Sequence, residues 1–236
     1  MQTVYKRILL KLSGEVLGGE KGTGFDFDTL DSICKAVKSV HDMGVEVGLV
    51  VGGGNFWRGR SGGSMNRARA DHIGMLATVM NSIMLEETLT GLGVPATAQT
   101  AVPMLSIAEP YSQREAVRRL SNGEVVIFGC GTGSPFFTTD TCAALRAAEI
   151  GADIIFKATN VDGVYDKDPN KFDDAVKFDV ITHSEVLAKN LKVMDATAAS
   201  LCRDNKLPIL VFNLTDPQNI VKAVCGENIG TIVKEG

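Results

Sequence analysis

Three short stretches of this 236-residue chain combine glycine with polar or charged side chains. They are Lys11-Leu12-Ser13-Gly14-Glu15, Gly52-Gly53-Gly54-Asn55 with Arg58 close behind, and GCGTGSPFFTTD at 129–140. Glycine strips the backbone of its side chain, so the chain can approach a ligand closely or take φ > 0. Bare N–H groups near a helix N-terminus supply donors for phosphate. Lys11 would add an ammonium that acts as a point charge on a transferring phosphoryl group. Each feature has a plainer explanation, a tight turn for the glycines and a solvated strand-end lysine for Lys11. Three such loops in one chain favour phosphate chemistry over three independent turns.

Other phosphate schemes fit worse. The pattern G-x-x-x-x-G-K-[ST] is absent. Gly129 to Gly133 opens like a dinucleotide fingerprint, with Glu149 at about the distance of a ribose-binding acid, but the third glycine is displaced and Pro135 follows at once. Asp162, Asp166 and Asp168 lack the spacing and terminal Glu of a calcium loop. His41, His72 and His183 have no metal-ligand spacing and are assigned no chemistry.

The elements that must position these loops alternate. Apolar runs at 4–11, 45–51, 94–97, 124–128, 152–156, 209–212 and 231–233 read as strands, the last as an edge strand. Helical spacing links them: Leu30, Ile33, Val37 and Val40, with Asp28 as N-cap and Gly44 ending the helix, then 71–92, 115–120, 139–150, 185–189, 195–204 and 217–224. This order predicts one α/β domain over 1–236, with a largely parallel sheet covered on both faces. Ligands of such sheets bind outside the carboxyl ends of strands, where all three loops fall.

Composition narrows the function classes. With 44% hydrophobic and 22% charged residues the balance is that of a globular protein. A net charge of -4 and a pI near 5.5 give no field for nucleic acid, so no nucleic-acid partner is expected. Five scattered cysteines form no C-x-x-C pair, which argues against a zinc site or disulfide framework and for a reducing cytoplasm. The N-terminal apolar run is broken at Lys11, too early for a signal segment, and no stretch is long enough to span a membrane.

Six motifs then carry a resemblance: KLSGE at 11–15, GGGN with Arg58, DHIGMLATVMN at 71–81, GTGSPFFTTD at 131–140, KATNVDGVYDKDP at 157–169 and LKVMD at 191–195. In order and over nearly the whole chain, they resemble the bacterial uridylate kinases of the amino acid kinase family. KLSG and VDGVY mark the superfamily, whereas DHIGMLAT and the PFFTTD run are specific to the uridylate kinases. Ser134 departs from a pattern that usually has Asn there.

The resemblance implies a three-layer α/β/α sandwich that transfers the ATP γ-phosphoryl group to UMP with Mg²⁺, in pyrimidine nucleotide biosynthesis. It implies a homohexamer, with GTP and UTP as possible effectors. The N-terminal part would mainly hold UMP and the C-terminal part ATP. Lys11, Arg58 and Asp140 would be catalytic, with Asp140 orienting Lys11 or a Mg²⁺ ligand water. Gly53, Asp71, Thr132, Gly133, Ser134, Pro135, Phe136, Phe137, Thr138 and Thr139 would surround UMP. Among these, Arg58 would hold its phosphate, Asp71 its ribose and Thr139 its uracil edge. Leu12, Ser13, Gly14, Gly54, Thr159, Asn160, Tyr165 and Asp168 would join Lys11 and Arg58 around ATP.

Several of these residues keep a second explanation on chemical grounds. Asp71 and Asp195 sit where helix caps are expected. Phe136 and Phe137 could be core residues, Arg60, Arg67 and Arg69 a solvated surface, and Lys157 either structural or a second cation. Rival functions are a related kinase with another acid or phosphate acceptor, and a nucleotide-binding regulatory or storage protein without turnover.

Overall fold

The computed structural model describes residues 2–58, 63–169, 171–191 and 193–236. Arg60 and Lys192, each part of a sequence expectation, lie outside the described residues. In chain order the elements are β1 (Arg7–Leu12), a 3-10 segment (Gly14–Lys21), α1 (Phe27–Asp42), β2 (Glu46–Val51), α2 (Arg67–Gly91), β3 (Ala96–Thr100), β4 (Glu109–Pro110), α3 (Gln113–Ser121) and β5 (Val125–Gly129). There follow α4 (Thr139–Ile150), β6 (Ile154–Thr159), β7 (Val164–Tyr165), β8 (Lys177–Phe178), β9 (Val180–Thr182), α5 (His183–Ala188), α6 (Ala196–Asp204), β10 (Ile209–Asn213), α7 (Gln218–Val224) and β11 (Gly230–Lys234).

Among the described residues, nine strands form one sheet in the order β4-β3-β5-β2-β1-β6-β10-β11-β9. Every pairing is parallel except β10 with β11. β7 and β8 make a separate antiparallel hairpin. Strand side chains alternate between faces, and two cores result. Ile8, Leu10, Leu49 and Phe156 pack with α1, α2 and α7, while Leu9, Val50, Phe128 and Ile155 pack with α3, α4 and α6. Helices on both sides of a parallel sheet give the three layers expected.

Four local expectations are corrected. Asp26, not Asp28, caps α1 by accepting from the Thr29 N–H at 2.8 Å. The long helix starts at Arg67 with Asn66 as its cap, so Asp71 lies inside it and is no cap. β11 is internal, because β9 adds beyond it. Phe136 and Phe137 are exposed at 65% and 52%, so neither is core. No helix among the described residues is long and apolar enough to cross a membrane.

Candidate active site

β1 and β6 are neighbouring parallel strands, and their register places Lys11 directly beside Lys157. Leu9 and Ile155, two residues earlier on each strand, belong to the core on the α4 side, so both lysines face that helix. Two ammoniums on adjacent strands repel unless an anion joins them. Asp140 does so from the first turn of α4. Its Oδ1 lies 3.0 Å from Lys11 Nζ and its Oδ2 accepts from Lys157 Nζ at 2.8 Å. The Lys157 contact is an aligned hydrogen bond, whereas the Lys11 contact is an ion pair without hydrogen-bond alignment. An acid in a first helical turn suits the macrodipole on its own; here it also spans both strands.

The three side chains are 13–18% exposed, enough to meet a ligand and little enough to perturb their protonation. Burial pushes the Asp140 carboxyl up, and the two ammoniums outweigh it, so its pKa falls below the ordinary value. Burial depresses Lys157 below its usual 10.5, with Asp140 opposing and Lys11 adding to the effect. Lys157 also donates to the Val193 carbonyl, which fixes it from a fourth segment.

Two cavities flank this triad. The first, about 670 Å³, is lined by Lys11, Ser13 and Gly14, by Gly52 to Gly54, by Trp57, Arg58, Asp71, Met75 and Thr78, and by Thr132, Ser134 and Phe137 to Thr139. The second, about 530 Å³, is lined by Lys157, Thr159, Gly163, Tyr165, Asp168, Lys189 and Val211 among others. Both volumes suit small-molecule sites. Each cavity therefore has one lysine of the pair at its wall.

The glycine loop is built by close approach. A Cβ on Gly14 would come within 2.3 Å of the Gly52 carbonyl, and one on Gly53 within 2.8 Å of Ala77 Cβ, so neither position admits a side chain. Across the cavity, Thr138 caps α4 by accepting from the N–H groups of Asp140 and Thr141 at 3.1 and 3.2 Å. Its hydroxyl donates to Asp195, which also accepts from Thr141 Oγ1 and caps α6 through the Ala198 N–H. Asp195 is thus both a cap and the tie between α4 and α6.

The remaining expected residues are partly brought together. Asp71 accepts from the Phe136 N–H at 2.9 Å and from Arg67 Nε at 3.0 Å. Phe136 has φ +73, a costly conformation for a bulky residue, and the Asp71 contact holds it there. Arg58 meets Glu15 at 3.0 Å in solvent. Gly133, Pro135 and Phe136 do not line the first cavity, nor does Asn160 line the second. The Leu12 side chain is fully buried, and its carbonyl accepts from the Gly52 N–H, so it shapes the loop from behind and presents no side chain to a ligand. Thr139 lines the first cavity, and its Oγ1 lies 3.6 Å from where a Cβ on Gly52 would be, at the glycine-loop end. Arg69 is exposed.

Sequence reading missed Trp57, Met75 and Thr78 on the first cavity. Thr78 accepts from the Cys130 N–H, 52 residues away, and no local pattern could have signalled that.

Comparison with known proteins agrees with this geometry. The profile of the amino acid kinase family matches residues 6–213. A UMP kinase from Bacillus anthracis is 39% identical, with a TM-score of 0.95 over 98% of this chain and 96% of that one. A UMP kinase from Ureaplasma parvum is 38% identical, with a TM-score of 0.93 over the whole of both chains. A uridylate kinase from Archaeoglobus fulgidus is 31% identical, with a TM-score of 0.73 over 96% of this chain and 99% of that one. A profile that spans most of its length and three solved structures that align nearly end to end place this chain in the amino acid kinase family.

Proposed function

We propose that the chain transfers the γ-phosphoryl group of ATP to UMP, giving UDP and ADP. The observation that carries the reading is the pair Lys11 and Lys157, in register on adjacent strands and joined by Asp140 between two cavities. The names of the similar structures, UMP kinase and uridylate kinase, supply the acceptor.

Phosphoryl transfer asks a protein mainly for in-line positioning and for cations where charge develops. A UMP phosphate oxygen attacks the γ-phosphorus while the bond to the β,γ-bridging oxygen breaks and ADP leaves with that electron pair. Lys11 and the Gly53–Gly54 backbone meet the phosphates from the first cavity and Lys157 meets them from the second. Asp140 holds both ammoniums in place and takes no proton, since its carboxyl is held in the ionised form. Arg58 grips the UMP phosphate with a planar fork of donors, and Asp71 accepts from the ribose. Thr139 offers its hydroxyl to the uracil edge, with Thr132 and Ser134 on the same cavity wall. On the donor side Tyr165 and Asp168 line the nucleoside cavity.

Asp140 is the carboxylate that joins the two lysines, and no group of three His, Cys, Asp or Glu side chains suited to a metal occurs among the described residues. That donor set fits a Mg²⁺ held mainly by ATP phosphate oxygens, where it would neutralise charge, and Asp140 would orient one of its ligand waters.

The work is shared within one domain, residues up to about 140 serving mainly the acceptor and later ones the donor. Homohexamer assembly, GTP and UTP control, a pyrimidine-biosynthetic role and a cytoplasmic setting extend the same resemblance. Exposed Ile73, Leu76 and Met80, in line along α2, suit a subunit interface, and the buried thiols of Cys34, Cys130, Cys142 and Cys202 suit a reducing compartment.

A coupled ADP-release assay with UMP, dUMP, CMP and carboxylate or carbamate acceptors tests the reading. Turnover specific to UMP is expected. Turnover with another acceptor, or tight nucleotide binding without turnover, overturns it.

A further inference from the structure

The glycine loop needs something to hold it, because three consecutive glycines have no side chains of their own to pack. The anchor comes from the helix that follows the loop, 29 residues beyond Gly52. Asn81, fully buried in α2, donates from Nδ2 to the Gly52 carbonyl at 2.7 Å and to Asn55 Oδ1 at 2.8 Å. Asn55, 3% exposed, donates back to Asn81 Oδ1 at 2.9 Å and to the Gly24 carbonyl at 2.8 Å. The two amides thus face each other reciprocally, with a backbone carbonyl at each outer end. Those carbonyls can only accept, so they fix which end of each amide carries the nitrogen.

We infer that Asn81 is a positioning residue for phosphoryl transfer, clamping the Gly52–Gly54 loop through a buried amide pair with Asn55. The inference rests on the proposed kinase reading and adds a residue that touches neither substrate. Three segments meet at this pair: the glycine loop, the turn at Gly24 and the middle of α2. Gly24 is held twice, since its N–H also donates to the Asn55 carbonyl at 2.9 Å. Nearer its N-terminus α2 carries Asp71, Met75 and Thr78 on the cavity wall. The same rigid helix therefore sets both the acceptor wall and the phosphate loop, and Asn81 fixes their relative position. A buried amide with every partner satisfied specifies one geometry, and removing one member strands the others.

Loop position should matter more as charge shifts during transfer than in the ground state, so the loss should appear in kcat. Asn81→Leu keeps the branched shape, at a larger volume, and removes every hydrogen bond; Asn81→Asp keeps the size and shape and, ionised, cannot donate to Gly52. Each should lower kcat on the order of 10–100-fold per folded molecule, with KM for UMP within about threefold. Asn55→Leu combined with Asn81→Leu should cost little more than Asn81→Leu alone, because the two act as a unit.

These rates are taken well below each variant's melting temperature and compared with wild type on whichever acceptor it uses. An inactive wild type defeats the kinase reading, whereas an active wild type with a folded Asn81 variant of unchanged kcat defeats the clamp. A loss confined to KM, or additive effects of the two asparagines, also overturns it. A structural role alone would lower the melting temperature and leave the rate per folded molecule unchanged. Wild-type NMR gives a readout independent of activity and of mutant folding. The side-chain amide protons of Asn55 and Asn81 should exchange slowly, and exchange at the rate of exposed amides overturns the clamp.

Discussion

The two cavities open at the same end of one sheet and share one carboxylate, yet they are walled by different means. The first has one side built of backbone packed too tightly to admit a Cβ at Gly14 and Gly53, braced by buried amides and facing a capped helix. The second is walled in part by β7 and the segment that follows it, which the β8 pairing and ion pairs such as Lys177 with Asp162 at 3.2 Å and Lys167 with Asp174 at 2.6 Å hold from outside. Those pairs are substantially exposed, and exposed pairs contribute little rigidity. On the proposed assignment, rigid backbone suits the side that places an attacking phosphate, and adjustable side chains suffice for a nucleoside held at a distance from the chemistry.

The largest expected effect comes from breaking what the cavities share. Asp140→Asn leaves two ammoniums side by side without their anion, so kcat should fall roughly 10²–10³-fold, as when one preorganised electrostatic donor is lost. Lys11→Met should cost about as much in kcat while raising KM for UMP far less. Steady-state kinetics, UMP calorimetry and a melt on each variant check this. A folded Lys11→Met protein with near-normal kcat would show that the backbone-walled cavity uses another cation.

Effects confined to the first cavity come next. Arg58→Ala should weaken UMP by about 1.5–3 kcal/mol, the cost of a charge-assisted partner, with ATP binding changed less. Calorimetry showing unchanged UMP affinity would mean that Arg58 stays with Glu15. Asp71→Ala should erode the preference for UMP over dUMP, because a site built to pair a hydroxyl rejects the analogue that lacks it. Comparable kcat/KM for the two nucleotides in wild type would remove Asp71 from the ribose.

Protonation offers a finer separation. Burial depresses Lys157 while the unfolded chain keeps an ordinary lysine, so the unfolded state binds more protons between the depressed value and 10.5. Stability should therefore rise with pH across that window as the strained charge is released. Activity should move the other way, with an alkaline limb in kcat below 10.5 as the cation is lost. In Lys157→Arg, whose charge persists above pH 12, the residual activity should show no such limb. A wild-type limb that stays where it was in Lys157→Arg would assign it to a different group.

The same contrast governs how much could be read in the chain. The α4 helix is foreseen at its observed bounds, and the three glycine loops lie at strand ends, because turn residues and 3.6-residue spacing are local signals. β7, β8 and β9 were not legible: each is two or three residues long and owes its state to partners far along the chain, as when Thr231 receives the Val164 N–H. The helix start at 67 is missed because Arg67 and Arg69 read as a solvated surface and Asp71 as the cap, whereas Asn66 caps the helix one turn earlier. Lys11 and Asp140 stand out by motif, but the pairing of Lys11 with Lys157 follows from strand register, which a separation of 146 positions conceals. Asn81 reads as one polar residue among many along α2, and its role lies in a carbonyl 29 residues away.

The smallest effect should fall on the adjustable wall. Tyr165 lines the second cavity and donates its phenol to Asp162 at 2.6 Å, in a contact open to solvent. Tyr165→Phe keeps the ring that a nucleoside could rest against and deletes only that bond. Asp162 keeps Lys177 as a partner, so the hairpin loses no more than about 1 kcal/mol. KM for ATP should then rise less than about threefold, with kcat and UMP affinity unchanged. A large drop in kcat for Tyr165→Phe would show that the hairpin's geometry reaches Lys157 and the transferring group. The donor wall would then be as rigid in function as the glycine-built one, and the contrast between the two cavities would not hold.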